Sequence, residues 1–318
     1  MKDKNLEDFV LEEEVDSMNE KIEKPVKSQV TFNKNRISRR IVLNNFAKHL
    51  FSLSTVFAMV VLGILLYQIV SGSIGWLDWQ FLTSNLSIFP EKAGIQGAII
   101  GTVFLMMIVI PVTLILGVAT AIYLEEYANE GRIQRLIKVN ISNLASVPSV
   151  IFGLLGLTVF SRMLGLGSSI LAGGLTMSLL VLPIVVVAAQ EALRAVPGFL
   201  REASYGMGAD KWTTIWRVVL PVSIPGILTG AILAISRAIG ETAPLVVLGI
   251  PTLIMKIPTG IMDDFTVMPI QIYYWTLDTV LTPEYAYLAS ATIVVLLITL
   301  FILNSVAIII RNKFQKTF

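Results

Sequence analysis

The sequence contains no cysteine and a single histidine, and both shortages narrow its chemistry. Without cysteine the chain cannot form a disulfide, a thiolate nucleophile or a cysteine metal site. The lone histidine, His49, lies just before the first apolar run, as is typical of an interfacial residue. One histidine also argues against a multi-histidine metal site and a buried Ser-His-Asp triad. We therefore predict no catalytic residues, no metal ligands and no cofactor.

Charged residues are scarce as well. They make up 14% of the 318 residues, and 55% of the chain is hydrophobic. A soluble domain carries roughly 25% charged residues, so this deficit places most of the chain in lipid. The formal net charge of +2 indicates little about partners, and we predict no nucleic-acid partner.

The first 33 residues are the exception to this low charge. Seven of its nine carboxylates lie within residues 7–20: Glu7, Asp8, Glu12, Glu13, Glu14, Asp16 and Glu20. Such a composition cannot bury enough apolar surface to order itself, so we predict a flexible cytoplasmic tail and assign it no function. A signal peptide is not expected, because the first apolar run begins near residue 50 and is too long for one.

Six uncharged runs are long enough to cross a membrane. They are Leu50–Leu77, Ala93–Leu124, Val139–Ser161, Met163–Gln190, Val218–Ser236 and Tyr285–Ile310. A spanning helix needs about 20 apolar residues, and the runs lack the period-2 alternation of barrel strands. We predict an all-α polytopic membrane protein with spans at about 50–70, 95–124, 141–160, 170–190, 218–240 and 287–310. Residues 34–318 would form one transmembrane domain.

Lysine and arginine predict the orientation of these spans. The side that holds both termini carries Lys34, Arg36, Arg39, Arg40, Lys48, Arg132, Arg135, Lys138, Arg194, Arg201, Lys211, Arg217, Arg311, Lys313 and Lys316. The opposite side carries only Lys92, Arg162 and Lys256. Both termini are therefore expected in the cytoplasm.

Prolines and glycines predict local departures from straight helices. Pro111, Pro148, Pro183 and Pro225 each remove a backbone donor and can kink a span. Glycines crowd the third and fourth spans, where small residues permit close helix approach. The outer connection at about 243–286 is long and half apolar, so we expect short helices in it.

The loop at 191–217, between the fourth and fifth predicted spans, is unusually ordered for a connection. Pro197 can start one helix, Gly206 and Gly208 can end it, and Asp210 can cap a second short helix. We predict a helix–turn–helix lying along the membrane, with its turn protruding. A plain connecting loop is the alternative, but the tryptophans Trp212 and Trp216 would be unusual in a solvated linker. Their presence favours a partner.

The skeleton of this loop resembles the EAA loop of binding-protein-dependent ABC importers. The matching positions are Glu202, Ala203, Ser204, Gly208, Val218, Leu220 and Pro221, with Ser204 and Val218 as mild departures. The resemblance implies that the loop docks on a cytosolic ATPase and couples ATP-driven closure to the spans. Coupling residues would be Glu202, Ala203, Gly208, Ala209, Asp210, Leu220 and Pro221.

Three further segments resemble PstA-type permeases of phosphate ABC importers, which have the MetI-like fold. They are residues 121–127 (AIYLEEY), 147–154 (VPSVIFGL) and 237–245 (RAIGETAPL). The resemblance runs from about residue 36 to 312. It implies a bacterial inner-membrane permease for inorganic phosphate, surrounded by membrane lipid. The implied partners are a PstC-like permease, two PstB-like ATPases and an external PstS-like phosphate-binding protein. ATP hydrolysis would belong to the partners, since no Walker-type loop is found here.

A charged pair near the end of the fifth span is the candidate for substrate contact. Arg237 and Glu241 are four residues apart, so we expect them on one helical face. Arg237 would present its planar guanidinium to phosphate oxygens, and Glu241 would weaken the hold. The alternative is a structural pair that reaches the membrane boundary. Arg162 is the second candidate for the path, with an interfacial anchor as its alternative.

Other functions remain open at this point. A permease for another oxyanion, molybdate or sulfate, would use the same arginine. A secondary transporter or channel would need no ATPase-docking loop. A membrane enzyme is disfavoured, because the spans carry one acid–base pair and no cysteine or histidine.

Overall fold

The structure is a computed structural model. It describes residues 34–129, 131–251 and 257–314, and no strand occurs among them. The predicted acidic tail, Lys256 and Lys316 lie outside the described residues. The chain divides into two compact units, Met1–Ile64 and Leu65–Phe318. The second unit holds nearly all of the helices discussed below.

Twelve α-helices are found in the described residues. They are α1 (Lys34–Ser73), α2 (Trp79–Thr83), α3 (Gln96–Ile122), α4 (Arg132–Leu144), α5 (Ser149–Leu155), α6 (Ile170–Arg194), α7 (Gly198–Gly206), α8 (Lys211–Thr214), α9 (Leu220–Ile239), α10 (Ala243–Leu248), α11 (Met268–Asp278) and α12 (Tyr285–Phe314). A 3₁₀ turn covers Pro90–Lys92. Three π-helical segments, at Tyr123–Tyr127, Gly156–Met163 and Ile215–Val219, continue α3, continue α5 and join α8 to α9.

Among the residues that the structure describes, five helices are long and apolar enough to cross a membrane, which supports the predicted membrane fold. These are Leu43–Ser73, Gln96–Tyr127, Ile170–Arg194, Lys211–Ile239 and Tyr285–Lys313. They cover five of the six predicted spans. The count rises to six if a bent pair, α4 with the helix Ser149–Met163, forms one span.

The predicted third span, 141–160, does not lie on one straight helix. It begins inside α4 and continues in α5, and the two parts are bent by 103°. Pro148 stands at the break and caps the start of α5. A residue before proline is pushed out of the helical region, so Val147 cannot continue α4. The other three prolines, at 111, 183 and 225, remain inside helices.

Helix α6 lies at the centre of the second unit. It contacts α3 and α9 along its length and also touches α4, α5 and α10. The main apolar core forms there, with Leu105, Met177, Val181 and Phe265 among its buried members. Helix α12 packs against α9 and α11. The predicted short helices of the outer connection are α10 and α11.

Small residues bring α9 close to α6. A Cβ placed on Gly226 would meet the Ala192 side chain at 2.9 Å, and one on Gly230 would overlap the Ala188 side chain. The two glycines are four residues apart and share a helical face. The sequence predicted close packing of small residues in spans three and four. There, Gly156 and Gly173 also leave no room for a Cβ, so the same kind of packing is found in both places.

Candidate functional site

The loop between α6 and α9 folds as the predicted helix–turn–helix. Pro197 caps the start of α7, which ends at Gly206. The chain reverses at Gly208, whose φ of 84° lies in the left-handed region that favours glycine. The backbone N–H of Ala209 donates to the carbonyl of Ser204, which closes the end of α7.

Asp210 caps the start of α8, as the sequence predicted. Its Oδ1 accepts from the backbone N–H of Thr213 at 3.0 Å. Hydrogen bonds from the side chain and the backbone of Thr213 lower the pKa of Asp210 below its ordinary value. The cap is therefore charged at neutral pH. It contributes stability above the ordinary aspartate pKa and loses it as the pH falls through the lowered value.

The second helix differs from the prediction, because it is not a separate short element. Helix α8 passes through the π segment Ile215–Val219 directly into α9, so one continuous helix runs from Lys211 to Ile239. Pro221 explains the π segment. It has no N–H to donate to the carbonyl of Arg217, and wider i→i+5 bonding accommodates the missing bond. Leu220 and Pro221 lie within the helix, where the predicted span at 218–240 places them.

The turn exposes most of the predicted coupling residues. Glu202, Ala203, Gly208, Asp210 and Pro221 are exposed, while Ala209 and Leu220 are half-buried. Met207 is 89% exposed at the tip, although it was not among the predicted coupling residues. A methionine beside the glycine turn is a signal that the sequence offered. Met207 belongs with the turn as a candidate contact.

The two tryptophans lie on the outside of the α8–α9 helix. Trp212 and Trp216 are both exposed, and their ring centroids are 5.4 Å apart. Beside them the ammonium of Lys211 stands 5.1 Å from the ring centroid of Tyr127. Helices α7 and α8 are held together underneath by a 2.8 Å hydrogen bond between the Ser204 and Thr214 hydroxyls. The exposed rings leave an aromatic surface for a partner or for lipid.

Two adjacent carboxylates at the end of α3 form a cluster that was not predicted from the sequence. Glu125 contacts Arg194 Nη2 at 2.7 Å and Lys138 Nζ at 2.9 Å, and it accepts from Gln190 at 3.0 Å. Glu126 contacts Arg201 Nη2 at 2.8 Å. We call these six residues the carboxylate clamp. It joins the end of α3 to α4, α6 and α7.

The link from Glu126 to α7 is well buried. The side chain of Glu126 is 8% exposed and that of Arg201 is 22% exposed. Arg201 also donates to the carbonyls of Val196 at 2.8 Å and Leu193 at 3.0 Å. One guanidinium therefore fixes α7 to the end of α6 and to the end of α3. Glu125 and Glu126 were noted in the sequence only as part of the segment YLEEY.

The structure corrects the predicted geometry of Arg237 and Glu241. Helix α9 ends at Ile239, and Gly240 caps it, so Glu241 lies beyond the helix. The two residues consequently do not share a helical face. Among the described residues, no ion pair within 4.0 Å joins them. Arg237 is exposed and Glu241 is half-buried.

Arg162 lies on the π segment that ends the α5 helix, and its side chain is exposed. The structure does not bring it into an ion pair with any described residue. In residues 34–129, 131–251 and 257–314, no group of three or more His, Asp or Glu side chains is arranged to hold a metal ion.

The segments at 147–154 and 237–245 are packed against each other. Helix α10 contacts α5, and a Cβ on Gly153 would meet the Pro244 carbonyl oxygen at 2.7 Å and the Val247 side chain at 2.9 Å. Gly153 is therefore required for this close approach. The contact joins two of the segments that resemble PstA-type permeases into one structural unit next to Glu241.

Five or six apolar helices long enough to cross a membrane, all within the described residues, define a multi-pass membrane protein. The sequence matches the family described as binding-protein-dependent transport system inner membrane component over residues 113–315. The chain belongs to this family and is a multi-pass protein of the bacterial inner membrane. The family's transport systems include ATPase and substrate-binding partners.

Known proteins agree with that membership. The phosphate transport system permease protein PstA 1 of Mycobacterium tuberculosis is 38% identical over 236 residues, which cover 72% of this chain and 76% of that protein. The probable ABC transporter permease protein YqgI of Bacillus subtilis is 33% identical over 65% of this chain and 70% of its own length. These relatives are transport permeases by name.

Solved structures support the fold. A bacterial ABC transporter involved in the import of the acidic polysaccharide alginate has a TM-score of 0.61 at 14% identity, covering 88% of this chain and all of that chain. An inward-facing MetNI methionine ABC transporter has a TM-score of 0.55 at 16% identity, covering 70% of this chain and 96% of that chain.

Proposed function

We propose that this chain is the permease subunit of an ABC importer that moves inorganic phosphate into the cell. The observation that carries the proposal is the 38% identity to a phosphate permease over 76% of its length. The exposed turn at Met207–Asp210 supports the ATP-driven part, because a secondary transporter has no use for such a docking element. Hydrolysis of ATP is assigned to the partners.

The complete importer would contain this chain, a PstC-like permease, two PstB-like ATPases and an external PstS-like phosphate-binding protein. The turn formed by Met207, Gly208, Ala209 and Asp210 would enter the ATPase surface, with Glu202 and Ala203 beside it. Because α8 and α9 form one continuous helix, movement at Asp210 would reach Arg237 along a single element. The clamp would carry the same movement to α3 through Arg201.

Arg237 is the proposed transient contact for phosphate. Its side chain is exposed and is not neutralised by Glu241 in this conformation. A guanidinium binds phosphate oxygens through two parallel hydrogen bonds. Glu241 lies just beyond the helix end, where its charge would weaken the hold and favour release. Arg162, exposed at the end of α5, is proposed for the entrance of the path.

Radiolabelled phosphate uptake by the reconstituted importer tests this function. Uptake should require the external binding protein and hydrolysable ATP, and a non-hydrolysable ATP analogue should abolish it. Uptake that continues without ATP and follows an ion gradient would instead identify a secondary transporter. Co-purification of this chain with an ATP-hydrolysing subunit checks the docking element independently of cargo.

A further inference from the structure

Helix α4, Arg132–Leu144, has a divided surface that the function above does not use. Four large apolar residues, with the polar Asn140 between the last two, recur at helical spacing along one side: Ile133, Leu136, Ile137 and Leu144. Ile133 is 77% exposed and Leu136 is 65% exposed, and α4 contains no buried residue. We call these four side chains the apolar stripe. In water such a surface would be unfavourable.

The rotation of α4 about its axis is fixed by two contacts to the end of α3. Gln134 donates to the Leu124 carbonyl at 2.7 Å, and Lys138 pairs with Glu125 at 2.9 Å. These two residues are four apart and share a side that the apolar stripe does not occupy. The stripe is consequently left uncovered by the part of the chain that the structure describes.

The bend at Pro148 sets the direction of α4. The axes of α4 and of the helix Ser149–Met163 are bent by 103°. If the second helix crosses the membrane, α4 must lie close to the membrane plane. Its contact with Glu125 places it at the end of α3, which is where a spanning helix leaves the hydrocarbon. An apolar stripe at that depth reaches acyl chains.

The charge of α4 indicates which lipid it meets. The helix contains Arg132, Arg135 and Lys138 and no acidic residue. Lys138 is engaged by Glu125, while Arg132 and Arg135 are exposed. Long basic side chains at an interface extend their charged ends toward the headgroups. A guanidinium group can donate two parallel hydrogen bonds to phosphate oxygens, so Arg132 and Arg135 are suited to an anionic phospholipid headgroup.

We propose that α4 is a membrane-surface helix that binds anionic phospholipid headgroups of the cytoplasmic leaflet through Arg132 and Arg135. The apolar stripe inserts among the acyl chains beneath them. The assignment to the cytoplasmic leaflet rests on the proposed function, which places the Met207–Asp210 turn in the cytoplasm. Because Lys138 of α4 belongs to the carboxylate clamp, the lipid contact supports the end of α3 beside α7.

The depth of α4 can be measured directly, because this chain has no cysteine and one introduced cysteine labels a single known position in it. In the assembled importer, a nitroxide at Leu136→Cys should be relaxed by membrane-soluble oxygen. A nitroxide at Ser142→Cys, on the other side of α4, should be relaxed by a water-soluble nickel complex. If both reagents are excluded from Leu136→Cys, a partner protein covers the stripe and the proposal is overturned. This measurement does not depend on phosphate transport.

The headgroup contact is tested by lipid composition. The importer is placed in vesicles of phosphatidylcholine alone or of equal parts phosphatidylcholine and phosphatidylglycerol. Each basic residue near an anionic surface is worth about a fivefold change in association. The variant Arg132→Gln/Arg135→Gln should therefore lose at least about fivefold in retained phosphatidylglycerol, as counted by native mass spectrometry.

The matched control is Arg311→Gln/Lys313→Gln, which removes the same charge at the end of α12. It should lose clearly less phosphatidylglycerol than Arg132→Gln/Arg135→Gln, because diffuse attraction to the membrane surface affects both variants and the headgroup contact only the latter. Equal losses in the two double variants would show that bulk charge attracts the lipid, and the site on α4 would be rejected. No loss in Arg132→Gln/Arg135→Gln would reject it as well.

Discussion

At the scale of single residues, Gly208 has both an unusual backbone conformation and a proposed role in docking to the ATPase. Its φ of 84° is strained for any residue with a side chain. Nothing lies within 4 Å of a Cβ built there, so the chain itself leaves room for a larger residue. The proposed ATPase contact would take up that open space.

We expect Gly208→Ala to destabilise the turn by about 1 kcal/mol, because the left-handed conformation penalises a Cβ. Gly206→Ala is the matched control, since Gly206 is helical and also has open space around it. Hydrogen exchange at the amides of 203–209 should accelerate in the first variant and not in the second. Equal exchange in both variants would contradict the turn geometry.

A bulkier residue tests docking at the same position. Gly208→Trp should leave the importer assembled in the membrane but reduce the phosphate carried per ATP hydrolysed, because the indole occupies the proposed ATPase interface. The ratio of uptake to hydrolysis in reconstituted vesicles measures this. An unchanged ratio would remove the turn from the coupling interface.

The proposed contact between Arg237 and phosphate is also a prediction about a single residue. Arg237→Gln should reduce phosphate uptake at least tenfold, since the loss of a charge-assisted hydrogen bond is worth about 1.5–3 kcal/mol. Arg237→Lys keeps the charge and loses the fork, so it should retain part of the activity. Arg311→Gln removes an arginine far along the sequence and serves as the control. Normal uptake by an assembled Arg237→Gln importer would exclude the contact.

At the scale of elements, the carboxylate clamp holds α7 against the ends of α3 and α6. Glu126→Gln should weaken the link to Arg201 and lower the phosphate carried per ATP, because the half-buried Arg201 loses its counter-charge. Glu191→Gln is the control, since its pair with Arg194 is exposed and such pairs contribute little. Glu126→Asp should fall between Glu126→Gln and the unchanged chain. An unchanged uptake-to-hydrolysis ratio in Glu126→Gln would contradict the positioning role of Arg201.

The contact between α6 and α9 is the second element-scale claim. Gly230→Ala should lower the thermal midpoint of the complex, although alanine favours helices, because its Cβ overlaps Ala188. Overpacking of this kind costs about 1–3 kcal/mol. Gly97→Ala should not lower the midpoint, since no atom lies within 4 Å of its Cβ. Equal midpoints would show that α6 and α9 separate without cost.

At the scale of the whole molecule, the sequence predicts spans well and their bends poorly. Five spans follow from uncharged runs that are long enough for lipid, which is a local property. Pro148 was predicted as one of four possible kinks, but the 103° break was not, because the apolar run from Val139 to Ser161 continues across it. Proline does not determine a bend by itself, since Pro111, Pro183 and Pro225 remain inside helices.

In the candidate functional site, too, local features were predictable from the sequence and long-range contacts were not. Asp210 and Gly208 were predictable because caps and turns depend on neighbours in sequence. The pair Glu126–Arg201 was not, because its members are 75 residues apart and meet only when α3 packs beside α6. The helical pairing of Arg237 with Glu241 was wrong because spacing alone does not show where a helix ends.

The central claim is that this chain forms the phosphate-selective path of an ATP-driven importer. The most direct test compares ATP-dependent uptake of phosphate, molybdate and sulfate, each in competition with the others, by the reconstituted complex. We expect that phosphate is carried and that molybdate and sulfate at equal concentration leave its uptake nearly unchanged. Uptake of molybdate or sulfate in preference to phosphate would contradict the claim.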